Sequence, residues 1–66
     1  MRVVANGTTF DLSPPVTVAG FIRQRGLDPR YVVVERNGQP LERPRYEDVL
    51  LEEGDRLELV RAVAGG

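Results

Sequence analysis

Cysteine, histidine and lysine are all missing from this sequence of 66 residues, and each absence excludes something. Without cysteine there is no disulfide, no persulfide relay and no thiolate nucleophile. Without histidine the commonest general base and the commonest metal ligand are gone. Without lysine there is no Schiff base and no side-chain amine to accept an acyl group. Carboxylates, two tyrosines and a few hydroxyls remain. This set predicts no intrinsic catalytic residue and no enzyme, because neither a deep pocket nor a base is on offer. Long apolar runs are absent too, as is a signal-peptide pattern, so a cytoplasmic location is expected. Charge of either sign is nearly balanced, at a formal net −1 with nine arginines, which predicts no nucleic acid and no membrane as partner.

What is there amounts to one small domain. A chain this short buries only about 60% of its unfolded surface and has a stability of about a few kcal/mol. Arg2-Val3-Val4-Ala5 is a short β-branched run ending at Asn6-Gly7, the dipeptide a two-residue hairpin turn favours. Thr8 to Leu12 alternates, with Thr8, Phe10 and Leu12 on one face, and Ser13-Pro14-Pro15 ends it. A helix is predicted next. Thr17 is its N-cap, and Val18, Phe21 and Ile22 lie at i, i+3 and i+4 on one side. Gly26 suits the C′ position, with Leu27 folding back on Ile22. Gly20 costs helix propensity, which points to close packing against the sheet or a weak first turn.

Tyr31-Val32-Val33-Val34-Glu35-Arg36 reads as a strand with little exposed face. Asn37-Gly38 marks a second hairpin returning through Gln39-Pro40-Leu41, with Pro40 confining that strand to an edge or a short pairing. Tyr46 to Leu51 is expected to form one helical turn with Tyr46, Val49 and Leu50 inward. Glu52-Glu53-Gly54-Asp55 is a turn, and Arg56 to Arg61 is the last strand, with Leu57 and Leu59 inward and Glu58 and Val60 outward. Hairpin, helix, strand pair and final strand make an α+β roll: one main helix across a mixed sheet of four to five strands.

The last residues are Ala62-Val63-Ala64-Gly65-Gly66. Residues 1–63 are expected to form the domain and 64–66 a flexible tail, since two glycines carry high backbone entropy and nothing to pack. A carboxylate on Gly66, preceded by Gly65 and Ala64, would sit on a segment thin enough to enter a narrow active site.

Element order, the single helix and the stretch from Leu57 to Gly66 together resemble the ubiquitin-like β-grasp fold. Within it the sequence is similar to the ThiS family, the sulfur carriers of thiazole formation in thiamin biosynthesis. The likeness covers nearly the whole chain: Asn6-Gly7, Val16-Thr17-Val18, Val32-Val33-Val34 leading to Asn37-Gly38, Arg43, Gly54-Asp55 and Val63-Ala64-Gly65-Gly66. Glu35-Arg36 stands where many such sequences carry a more apolar pair. The resemblance implies that an E1-like adenylating enzyme uses ATP to activate the Gly66 carboxylate. Sulfur from a cysteine desulfurase then makes a thiocarboxylate, and thiazole synthase takes that sulfur. No cofactor is expected on the chain itself. Carriers for tRNA thiolation and for molybdopterin synthesis (the MoaD type) are the alternatives, with a passive ubiquitin-like interaction module as a third.

Around the tail, Glu58, Val60, Ala62 and Val63 are the candidate partner-binding residues, though lone exposed valines on strands are common. Arg61 either steers a partner or is simply solvated. Glu52, Glu53 and Asp55 read as a polar turn rather than a metal cluster, since no further ligands converge in sequence. Tyr46 reads as packing.

Overall fold

The elements form where local chemistry calls for them. In the computed structural model, which describes residues 1–62, β1 (Arg2–Ala5) and β2 (Thr8–Asp11) make a hairpin. Helix α1 (Val18–Gln24) follows, then β3 (Val32–Arg36), β4 (Gln39–Leu41) and β5 (Arg56–Arg61). Both hairpin turns take positive φ at two successive positions, Asn6 and Gly7 at 50° and 80°, Asn37 and Gly38 at 53° and 81°. Those are the values a type I′ turn needs. The expected division between domain and tail at residue 63 lies outside the described residues.

Helix α1 is closed at both ends by its own sequence. The Thr17 hydroxyl accepts from the Gly20 N–H at 2.9 Å. At the other end Gly26 N–H donates to the Arg23 carbonyl and Leu27 N–H to that of Ile22, at 2.9 and 3.1 Å. This pair of bonds defines a Schellman cap. Gly20 has a local explanation, because a Cβ there would lie 3.1 Å from the Thr17 hydroxyl that caps the helix.

The sheet runs β2-β1-β5-β3-β4, so the last strand in sequence lies in the middle of five. It pairs parallel with β1 and antiparallel with β3. With one helix packed on one face, this is a β-grasp roll with the full five strands. Val18, Phe21 and Ile22 of α1 are fully buried together with Val3, Val32, Val34 and Leu57. Phe10 meets Phe21 edge to face at 5.4 Å, and the Arg25 guanidinium stacks 4.5 Å above the Phe10 ring. Leu59 packs on this core but is only partly buried.

Two sequence expectations are corrected. Strand β3 does have an open face. Its residues alternate, with Val32 and Val34 buried and Val33 49% exposed, because α1 covers one side of the sheet only. The helical turn lies earlier than expected, as a 3-10 turn over Arg43–Arg45. Residues 49–51 are instead extended beside the helix entry, where Val18 N–H donates to the Val49 carbonyl and Leu51 N–H to that of Val16. Two-residue periodicity there buries Val49 and Leu51 and turns Leu50 outward.

Asp55 is the one buried charge among the described residues. One carboxylate oxygen accepts from the Arg36 Nε and Nη2 at 3.0 and 2.9 Å and from the Glu52 N–H at 2.8 Å. The other accepts from the Asn37 side chain at 3.0 Å. Burial alone would raise its pKa. The hydrogen bonds from Asn37, Glu52 and Arg36, with the guanidinium charge, outweigh burial and hold it below the ordinary 3.8.

Truncating Leu57 to alanine is expected to cost about 2–5 kcal/mol in urea unfolding, and truncating partly buried Leu59 to cost less. Because the Asp55 pKa is lowered on folding, its contribution is complete above 3.8 and is lost as pH falls through the lower folded value. Unfolding midpoints measured down an acid series should therefore drop below that point. Asp55→Asn should start less stable at neutral pH and lose less over the same range.

Candidate functional site

The site begins where β5 leaves the sheet. Along its β3 side β5 is paired to the end: Arg36 faces Leu57, Val34 faces Leu59 and Val32 faces Arg61. Ala62 N–H then donates to the Tyr31 carbonyl at 2.6 Å. Along the other side β1 is shorter and reaches only Arg56 and Leu57. The side chain of Asn6 continues that ladder. Its amide nitrogen donates to the Leu59 carbonyl at 3.1 Å, and its oxygen accepts from the Leu59 N–H at 2.8 Å. A turn residue thus holds the strand that carries the terminal segment, from 53 positions away in sequence.

Two surfaces meet at this end. On the uncovered face of the sheet stand Glu58 and Val60, with Val60 59% exposed. The register sets Val33 directly across from Val60 and Glu35 directly across from Glu58. On the helix side is a hollow of about 480 Å³ bordered by Leu27, Asp28, Tyr31, Val32, Arg61 and Ala62. Beside its rim Arg30 pairs with Asp28 at 2.7 Å and lies 5.3 Å from the Tyr31 ring centroid. Hydrogen bonds from the Arg30 side chain and N–H lower the Asp28 carboxyl to about 2. A larger hollow, between the end of α1 and the 3-10 turn at Arg43, includes no residue of β5.

The residues read from sequence fall as follows. Glu58, Val60 and Ala62 are exposed and close together. Val63, Ala64, Gly65 and Gly66 lie outside the described residues. Tyr46 is buried and donates its hydroxyl to the Val32 carbonyl at 2.8 Å, a packing role. Glu53 accepts from the Arg2 N–H and Glu52 lies by Arg36, while Asp55 turns inward. Among the described residues no group of carboxylates is arranged to hold a metal ion. Sequence reading missed Val33 and Glu35, because three successive valines hide the alternation of β3. It also missed Tyr31, which is half exposed beside the end of β5.

These features define a class: a ubiquitin-like β-grasp domain whose central strand runs on toward a Gly-Gly sequence. Comparison with known proteins agrees. The model of the ThiS family matches residues 2–66, and the chain belongs to that family. Over its whole length it is similar to a crystal structure of the thiamine biosynthesis protein (ThiS) from Geobacter metallireducens, with a TM-score of 0.82 and 26% identity, all of both chains being covered. A solution structure of a thiamine biosynthesis protein from the same organism gives 0.79 and 29%, covering all of this chain and 88% of that one. Among curated proteins the chain is 36% identical to a thiazole synthase of Paramagnetospirillum magneticum and 33% identical to one of Magnetococcus marinus. Each match takes in all of this chain and 20% of the relative, so the chain spans about a fifth of the length of the curated relatives it matches.

Asn6→Gly keeps the positive φ of the turn and removes only the two side-chain bonds to Leu59. It is expected to cost about 1–2 kcal/mol and to speed amide hydrogen exchange at Leu59 more than at Val34, which serves as the internal reference.

Proposed function

We propose that this domain is a sulfur carrier for the thiazole of thiamin, working through a carboxylate on Gly66. The observation that carries the reading is the whole-length ThiS match joined to the place of β5. The strand that leads to Ala64-Gly65-Gly66 is central and is held on both sides. A partner can then pull on the terminal segment without unpairing an edge.

The chemistry follows from what a carboxylate lacks. Its oxygen is a poor leaving group, so an E1-like adenylating enzyme spends ATP to form an acyl-adenylate and release pyrophosphate. A persulfide supplied by a cysteine desulfurase attacks the acyl carbon, AMP departs, and reduction of the remaining S–S bond by a thiol leaves a thiocarboxylate. The chain's part is passive and steric. Glycines at 65 and 66 have no Cβ to block a narrow channel. The chain carries no cysteine, histidine or lysine that could intercept its own activated end. Glu58, Val60, Ala62 and Val63 are proposed to meet the partner beside the channel mouth, and the domain contributes no catalytic residue.

Thiazole synthase is favoured as acceptor over tRNA-thiolating or molybdopterin enzymes by the two thiazole synthases that contain a stretch similar to this whole chain. In those proteins a carrier-like segment and the rest of a thiazole synthase share one polypeptide. We take this chain's acceptor to be the same kind of enzyme.

Removing Gly66 is expected to abolish ATP–pyrophosphate exchange with the E1-like partner while leaving the circular dichroism unchanged. Gly65→Val should nearly do the same, since a β-branched residue restricts backbone and channel alike. Undiminished exchange by the shortened chain would remove the terminal glycines from the mechanism. Labelled sulfur on the intact chain should pass to thiazole synthase, and transfer only to a tRNA-thiolating enzyme would reassign the pathway.

A further inference from the structure

Asn6 and Asn37 are the two asparagines of the chain, and a glycine follows each. In that dipeptide the glycine nitrogen, once a base has removed its proton, can attack the side-chain carbonyl carbon of the asparagine. A C–N bond closes a five-membered succinimide and ammonia leaves. Water then opens the ring at one carbonyl or the other, giving aspartate or an isoaspartate whose backbone runs through Cβ. Glycine favours the attack because no Cβ shields its nitrogen. The native turns oppose it. In a type I′ turn the asparagine has ψ of about 30°, which sets the next nitrogen nearly opposite its Cβ, whereas ring closure needs the two eclipsed. Each turn must open before it reacts.

The two turns are not locked equally. Each asparagine N–H donates to a β5 carbonyl, Asn6 to Leu57 at 2.9 Å and Asn37 to Arg56 at 2.7 Å. The difference lies in the side chains. The Asn37 amide donates to the buried Asp55 carboxylate at 3.0 Å, and a bond to a charged acceptor is about twice as strong as a neutral one. The Asn6 amide meets only neutral, exposed main-chain groups of Leu59, at 3.1 and 2.8 Å. We propose that Asn6 is a site of spontaneous deamidation, reached when the β1–β2 turn opens, and that its conversion releases β5 at Leu59 for good. Isoaspartate adds a backbone atom to the turn and leaves no side-chain amide to match the Leu59 main chain. Aspartate keeps an acceptor for the Leu59 N–H but sets an oxygen against the Leu59 carbonyl. Strand β1 reaches only Arg56 and Leu57, so the loss falls where a side chain had extended the ladder. Pairing with β3 on the other side is untouched. The change loosens one side of the strand that leads to the terminal segment, needs no enzyme, and accumulates with the age of the molecule.

The test keeps the full chain folded in mildly alkaline buffer made with heavy-oxygen water and follows it by peptide mass mapping. Heavy oxygen enters where a succinimide is hydrolysed. Label should appear at Asn6 in about fivefold or greater excess over Asn37, and an isoaspartate-specific methyltransferase should methylate the product. After return to neutral pH, the isoaspartate fraction should exchange its Leu59 amide about tenfold faster than the fresh chain, with Val34 unchanged. Asn6→Gly should take no label at position 6 and show the faster Leu59 exchange from the start. Equal or greater label at Asn37 overturns the choice of site. No label at Asn6 by the time the free peptide Ala5-Asn6-Gly7-Thr8 is fully converted overturns the reaction in the native chain. Conversion with Leu59 exchange unchanged overturns the release of β5. Conversion that strips protection from Val34 as well as Leu59 shows the whole domain unfolding, and overturns it too.

Discussion

Everything in this domain depends on β5 lying between β1 and β3. The last strand in sequence closes the sheet by pairing parallel on one side and antiparallel on the other. Until it does so the two hairpins are separate, and neither has enough apolar surface to stand alone. Leu57 supplies the link from that strand into the core, against the face of α1 that carries Phe21 and Ile22. The same placement sends the chain out of the middle of the sheet. A segment leaving an edge strand would be held by one neighbour; this one is held by β3 through Ala62 and by the Asn6 side chain at Leu59.

The entry to β5 is secured by charge rather than by apolar contact. Asp55 ties the turn before the strand to Arg36 and Asn37 at the β3–β4 hairpin. Asn37 also accepts from the Arg56 N–H at 2.9 Å, so one turn residue touches both ends of the clamp. A buried carboxylate is costly unless its oxygens are satisfied. Here four donors satisfy them, and the network sets the register of β3 on β5. That register is what aligns Val33 with Val60 and Glu35 with Glu58.

The sheet therefore divides its labour by face. The inner face, under α1, holds most of the stability such a short chain has. The outer face is free of that duty and keeps Val33 and Val60 exposed and, among the described residues, no ion pair at the opposed Glu35 and Glu58. On the proposed sulfur-carrier reading, the domain acts through a firmly held strand and the glycines it leads to rather than through a catalytic side chain.

Much of this was legible in the sequence. Asn6-Gly7 and Asn37-Gly38 announce two turns because few dipeptides tolerate two positive φ values. Thr17 and Gly26 mark the helix ends, and the spacing of Val18, Phe21 and Ile22 marks its buried side. The pattern Leu57-Glu58-Leu59-Val60 assigns the faces of β5. These signals act within about five residues, the range of a turn, a cap or one helical repeat. The tertiary structure alone decided that Val33 is exposed, that Leu50 points out and Leu51 in, that Asp55 is buried, and that Glu35 opposes Glu58. Run-on valines and a polar turn look alike whether covered or open. Their burial depends on which side of the sheet the helix takes, and the Asp55 contacts join residues 19 positions apart. The physical reason is one of range: dihedral preference and periodicity are written locally, while register and the burial of a charge exist only once distant strands have met.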